Sequence, residues 1–339
     1  TSVPMQANGA TRLGRYLKFL QSVDAATTNG QYDIVHAMLP VRHCDVYHPH
    51  AGIAVNSVQH GHLKQPNTVG RVMSRWGNWF NLRRQRFAAI EQQLLTGNNA
   101  PVVLCLSGQI KATVRQHYPK LPENNLVTLF NATDLSRFDP AALPDLRGPT
   151  RAQFNLSDDD VVGLMLAQDF ERKGLRQCIV ALSKIAEPRL KLLVGGKQNP
   201  RDYRNLASDL GVNDRVRFAG PTDNPAAFYR AADFFVLPTR SDPCSLVVLE
   251  ALAMGVPVIS TRQNGACEIM TDGREGRILS DPDDLPGLVS AMIQMLDPNG
   301  RKTMMDGCMG LRPRLAVQRH LAVLEETYGQ KYRSTHPIL

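Results

Sequence analysis

Short apolar, β-rich runs alternate with helix-patterned segments along most of the chain, and this alternation restricts the fold more than any other feature. In the first half, YDIVHAML (32–39), CDVYHPHAGIAV (44–55), PVVLCLS (101–107) and NLVTLFN (125–131) read as strands. Ser107 stands where it can cap the helix GQIKATVRQHY. The Asp- and Pro-rich stretch from Asn131 to Pro149 interrupts the pattern and reads as an interdomain linker. The alternation then restarts with VVGLMLAQ (161–168), RLKLLVGG (189–196), RVRFAG (215–220), DFFVLPT (233–239), VPVIST (256–261) and GRILS (276–280). Between these strands lie the helical patterns GLRQCIVALSKIA, DYRNLASDLG and NPAAFYRAA. The expectation is an α/β chain of two successive Rossmann-like sheets. The domains would be residues 1–140 and 141–315, with 316–339 a terminal helix and tail crossing back to the first domain.

The 339 residues are 43% apolar and 21% charged, as in an ordinary soluble globular protein. No run of about 18 apolar residues appears. The cysteines at 44, 105, 178, 244, 267 and 308 show no CxxC or CxxH spacing, which argues against zinc and for a reduced, cytoplasmic setting. The net charge of +8 is local in origin. Between Val46 and Ile90 there is no Asp or Glu, yet Lys64, Arg71, Arg75, Arg83, Arg84 and Arg86 fall there. Taking those six from the 39 basic residues leaves 33 against 31 acidic ones. Residues 69–95 also place Val69, Val72, Met73, Trp76, Phe80, Phe87 and Ile90 at roughly helical spacing, so Trp76 and Trp79 interleave with arginines. One reading is a helix packed on the first domain with a solvated basic face. The other is a surface, residues 64–87, for an anionic membrane or acceptor. No nucleic-acid module accompanies it, and nucleic acid is not expected as a partner.

The most informative stretch is FVLPTRSDPCSLVVLEALAMGVPVIST, residues 235–261. A strand ends near Pro238, a polar loop follows, and a helix starts near Ser245. Such a start offers unpaired N–H groups and a positive dipole end, which suits a diphosphate. Asp242 and Glu250 bracket it: one can reach a sugar at the helix tip, the other the adjacent pocket wall. A plain strand–loop–helix unit with a solvated Asp242 would account for the same residues.

The stretch resembles the E-x7-E signature of the family 4 retaining glycosyltransferases, with Asp242 in place of the first Glu and Cys244-Ser245 in place of Phe-Gly. Four further segments resemble that family in order. LFNATDLSRFDP is similar to its linker signature, AQDFERKGLRQCIVAL to its basic segment, RVRFAGPTDN to its base-reading loop, and NGACEIMTDGREG to a loop near the donor. The likeness covers roughly residues 125–300 and is nearest in pattern to the lipopolysaccharide core glucosyltransferases. It implies a GT-B fold, two Rossmann-like domains facing across a cleft, here with the N-terminal domain lacking its first strand and Gly-rich loop.

The same resemblance implies roles. Asp242 would touch the donor sugar and Glu250 the ribose diol, while Ser245, Leu246 and Val247 would hold the phosphates. Arg172 and Lys173 would neutralise the leaving diphosphate. Phe218 and Gly220 would border the nucleobase, and His50 would face the sugar from the first domain, although a structural role at a strand end is an alternative for it. Arg172 and Lys173 also read as two cations at a helix N-terminus, an arrangement that opposes the macrodipole unless an anion sits there. The runs SDDD (157–160) and DPDD (281–284) read as solvated turns, and no catalytic metal or cofactor is expected. The implied reaction moves a hexose, glucose first, from UDP-glucose to a glycan or lipopolysaccharide-type acceptor with retention, in the cytoplasm or on the inner face of its membrane. The alternatives are a GT-B nucleotide-sugar epimerase and a catalytically weak nucleotide-sugar-binding protein docking through its basic patch. A dehydrogenase is disfavoured because no GxGxxG follows a strand.

Overall fold

The computed structural model describes Asn8 and residues 10–27, 32–55 and 82–335. Lys64, Arg71, Arg75, Trp76 and Trp79 lie outside the described residues, as does most of the basic aromatic segment. The chain divides into two units, Thr1–Phe130 with Leu321–Leu339, and Asn131–His320.

Unit 1 contains α1 (Arg12–Thr27), β1 (His36–Ala37), β2 (Val46–Tyr47), α2 (Leu82–Thr96), β3 (Val102–Cys105), α3 (Gly108–His117) and β4 (Leu126–Thr128). Its strands pair in parallel in the order β1-β2-β3-β4. The two-residue side-chain period of a strand sends successive residues to opposite faces. Tyr47, Val103 and Cys105 accordingly join one core with Tyr16, Leu20, Ile90 and Leu94. Val46 and Leu104 join another with Leu129 and with Val323, Leu324 and Tyr328 of α12 (Val317–Thr335). Ser107 caps α3 as its position predicted, accepting from Ile110 N. The run 44–55 is strand only at Val46–Tyr47. Pro49 supplies no amide hydrogen, and Gly52 turns at φ 79° to bond the Pro49 carbonyl at 2.9 Å. Of segment 69–95, the described residues from Leu82 onward are helical; Phe87 stacks on Tyr16 with 4.0 Å between ring centroids.

Unit 2 runs α4 (Arg147–Gln153), β5 (Val161–Leu166), α5 (Phe170–Lys173), α6 (Leu175–Ser183), β6 (Leu190–Gly195), α7 (Arg201–Asp209), β7 (Val216–Gly220) and α8 (Pro225–Ala231). It continues β8 (Phe234–Leu237), α9 (Leu246–Ala253), β9 (Val258–Thr261), β10 (Gly276–Leu279), α10 (Leu285–Gln294) and α11 (Pro298–Leu315). The sheet is parallel throughout, in the order β10-β9-β8-β5-β6-β7. Its central strands are buried on both faces, which is why VVGLML and FFVL read as unbroken apolar runs. The strand order reverses between β5 and β8. In open parallel sheets that switch point leaves a crevice at the carboxyl ends of the strands.

The stretch 131–149 is part of unit 2 rather than a linker, and the division falls at Phe130/Asn131 instead of 140/141. Thr133 N bonds Leu315 O at 2.8 Å, and Phe138 is buried. The first turn of α4 takes in Pro149, where a missing amide hydrogen costs nothing. Arg151 anchors this helix from the interior, with Nη2 2.7 Å from Asp233 and Nε donating to Ala231 O at 3.0 Å. The second division falls at His320/Leu321, inside α12.

Candidate active site

Two loops at the switch point carry the charged residues. After β5, Asp169 caps α5 by accepting from Arg172 N at 3.1 Å. This short helix ends at once because Gly174 is left-handed, φ 84°. A Cβ on Gly174 would land on the Pro238 carbonyl oxygen and 2.8 Å from Pro238 Cγ, so only glycine lets the chain pass this close to the end of β8. That approach carries Lys173 against the loop after β8. Arg172 and Lys173 close the short α5 and stand immediately before Gly174, the N-cap of α6, so two cations do precede a helix N-terminus and oppose its dipole.

The loop after β8 is fastened along its length. Ser260 Oγ donates to Leu237 O at 2.7 Å, and Thr261 Oγ1 to Thr239 O at 2.6 Å. Asp242 N donates to Gln263 O and Asp242 O accepts from Gly265 N, both at 2.9 Å. Buried Asn264 accepts from Ser245 N and Ala266 N, each at 3.2 Å, while Asn131 Nδ2 holds Cys244 O at 2.7 Å. Ser245 is the N-cap of α9, and no side chain caps that terminus. The first-turn amides of Leu246 and Val247 are therefore donors with no intrahelical partner.

Lys173 Nζ forms an ion pair with Asp242 Oδ2, their side chains being 10% and 12% exposed. Asp242 is therefore paired rather than solvated. Burial pulls the Lys173 ammonium below the usual lysine range, against the opposing pull of Asp242, while Arg172 adds to the lowering. Arg172 donates from Nη1 to Ser241 O at 2.7 Å and pairs through Nε with Asp169 at 3.1 Å. One turn into α9, Glu250 Oε2 accepts from the hydroxyl of buried Tyr229 at 2.9 Å. Burial raises the Glu250 carboxyl above its ordinary value, and Tyr229 and Arg137 partly offset this.

Among the residues singled out in the sequence, the structure gathers Arg172, Lys173, Asp242 and Ser245 around these two loops, with Leu246 and Val247 opening the helix that follows. Phe218 and Gly220 lie apart from these loops on β7, the strand expected over 215–220. Arg204 stands 4.8 Å over the Phe218 ring, and Gly220 closes β7 at φ 75° by accepting from Gly196 N at 2.8 Å. His50 belongs to unit 1; it is exposed and lies 4.2 Å from the ring of buried His48. Its loop is fixed by buried Glu91, which accepts from Ala54 N and Tyr47 OH at 2.7 Å each and from Tyr118 OH at 3.3 Å. A cavity of about 410 Å³ beside that loop is lined by Arg12, Met38, Pro49, Ala51, Arg84 and Phe87.

Sequence reasoning missed Asn131, Asp169, Tyr229, Asn264 and Glu91. Asp169 was legible, since an Asp three residues before Arg172 opens a helical segment; the others act through long-range contacts. The turn readings of the Asp runs hold: Asp160 accepts from Ser157 N at 2.7 Å, and Asp284 caps α10. All six cysteines are free thiols. Among the described residues no cluster of three or more His, Cys, Asp or Glu could hold a metal ion, and no helix is long and apolar enough to cross a membrane.

The family model for glycosyl transferases group 1 matches residues 161–298, the stretch from β5 past the Asp242–Glu250 segment. This part of the chain is a group 1 glycosyltransferase domain. The chain is 36% identical over 153 residues to the lipopolysaccharide core biosynthesis glycosyltransferase LpsE of Rhizobium meliloti, covering 45% of this chain and 44% of that one. It is 26% identical over 203 residues to the lipopolysaccharide glucosyltransferase WaaG of Escherichia coli, covering 59% and 54%. It thus spans about half the length of the curated relatives it matches. The crystal structure of WaaG superposes with a TM-score of 0.77 at 21% identity, covering 92% of this chain and 82% of that one. Anabaena HepE in complex with UDP gives 0.70 at 19%, covering 94% and 84%. The two parallel-sheet units therefore have the GT-B fold.

Proposed function

We propose that this protein moves a hexose, glucose first, from a nucleoside-diphosphate sugar to a glycan or lipopolysaccharide-type acceptor, with retention and without a metal. The observation that carries this reading is the convergence of Arg172, Lys173, Asp242 and the uncapped start of α9 at the switch point of unit 2. In it, the amides of Leu246 and Val247 take the diphosphate with Arg172 and Lys173, while Ser245, its own amide held by Asn264, fixes the helix start beside the phosphates; Glu250 takes the ribose diol, and Asp242 the sugar. Phe218 and Gly220 border the base, and His50 is kept as a sugar contact on resemblance alone. UDP-glucose is the first choice of donor; relatives named as lipopolysaccharide glycosyltransferases and the HepE complexes with UDP and UDP-glucose support it.

The acceptor oxygen bonds to the anomeric carbon as the bond from that carbon to the phosphate oxygen breaks on the same face. The acceptor proton passes to the leaving phosphate. Charge growing on that phosphate is met by fixed cations and helix amides, the role a divalent ion would otherwise fill. Residues 64–87 would set the enzyme against an anionic membrane, its basic and aromatic composition being the support. The reaction is tested by following UDP-glucose with the protein and recording by NMR the first anomer released, with and without EDTA. The donor's own anomer, formed equally in EDTA, is expected; the opposite anomer or a metal requirement would overturn the reading.

A further inference from the structure

A cation that binds phosphate needs a free face. The Lys173 ammonium instead meets the Asp242 carboxylate, and the whole residue is only 8% exposed. Neither backbone can drift to open the pair. Asp242 is bonded through both N and O to the loop 263–265, and Lys173 is held by the close approach of Gly174 to Pro238. Only the side chains can part, and parting them leaves two poorly hydrated charges unless each gains a new partner. The other charged groups facing Lys173 are Arg172 and Asp169, which pair with each other at 3.1 Å. Arg240, in the same loop as Asp242, is engaged by Asp283.

We propose that Asp242 is the resident counter-ion of Lys173 and that a nucleoside diphosphate binds by displacing it, the ammonium turning to phosphate and the carboxylate to the sugar hydroxyls. This rests on the proposed role of Lys173 as a phosphate ligand and adds a specificity role for Asp242. An intact donor replaces both lost partners, phosphate for Lys173 and hydroxyls for Asp242. A nucleoside diphosphate without sugar replaces only one, and it brings its own negative charge next to a released carboxylate. Asp242 therefore favours donor over spent nucleotide and helps the product leave.

The experiment compares UDP, GDP and ADP by calorimetry, then the best binder with and without its glucose. Asp242→Asn should bind the free diphosphate about tenfold more tightly, since the competing carboxylate is gone. The donor should gain less, so the preference for donor shrinks. Because the carboxylate helps Lys173 keep its proton, the alkaline loss of diphosphate affinity should begin at lower pH in Asp242→Asn. Asp242→Glu, which keeps a carboxylate opposite Lys173, should not show the tenfold gain in affinity for the free diphosphate. If Asp242→Asn fails to melt cooperatively, Asp242→Ser takes its place. Unchanged or weaker binding of the free diphosphate would overturn the counter-ion role and leave Asp242 as a sugar contact. Unchanged binding in Lys173→Met, or no binding of any of the three diphosphates, would overturn the phosphate assignment and this proposal with it.

Discussion

Gly174 joins the two halves of the site, and replacing it by alanine gives a stability effect that can be worked out in advance. Its φ of 84° alone costs an alanine roughly 1–2 kcal/mol. The added methyl would also overlap the Pro238 carbonyl and stand 2.8 Å from Pro238 Cγ, so backbone must move; overpacking of this kind costs about 1–3 kcal/mol. Gly211 is the internal control. It has a similar φ of 69° but nothing within 4 Å of the new methyl, so Gly211→Ala carries the backbone cost without the overlap. Reduced freedom of the unfolded chain offsets both variants alike and cancels in the difference. Denaturant unfolding should therefore show Gly174→Ala less stable than Gly211→Ala by about 1–3 kcal/mol. Gly174→Ala should also weaken nucleoside-diphosphate binding, because Lys173 precedes the displaced residue; Gly211→Ala should not. Equal losses of stability in the two variants, with equal affinities, would refute the claim that the Gly174–Pro238 contact positions Lys173.

Tyr229→Phe removes the hydroxyl that favours ionised Glu250, so a carboxyl already raised by burial should rise further. Diphosphate affinity, which needs the ionised form to accept from the ribose, should recover at higher pH than in the parent protein on leaving acid conditions; an unmoved acidic limb would show that Tyr229 does not act through Glu250. For the basic segment, Arg84→Ser with Arg86→Ser should weaken binding to anionic vesicles by about 2 kcal/mol in total and leave diphosphate binding intact. No vesicle binding by the parent protein at low salt would remove the membrane reading.

Unit 2 was legible because its strands are buried on both faces, so VVGLML or FFVL shows no polar residue to blur the period. Unit 1 was less so. In CDVYHPHAGIAV the apolar alternation ran on past Pro49 and Gly52, the two residues that end the strand. The stretch after Asn131 looked like a linker because its aspartates and prolines are turn formers. Yet Asp134 spends its carboxylate on Ser136 and Arg137 amides within a packed turn, and buried Arg151 pins the following helix. The site was half visible. Ser245 at a helix start is a local signal, whereas the Lys173–Asp242 pair joins residues 69 apart and depends on β5 lying beside β8. Asn264 and Asn131 fall in the same class, since their side chains fasten a loop that only the sheet order brings to them.

The central claim is that the switch point of unit 2 holds a nucleoside diphosphate, with Glu250 on the ribose. Calorimetric titration of UDP into the parent protein and into Glu250→Ala tests it most directly. Two hydrogen bonds to a charged acceptor, each worth about 1.5–3 kcal/mol, are lost in the variant. At least about tenfold weaker binding is expected even if water replaces part of that loss. Identical affinities in the two proteins would contradict the claim.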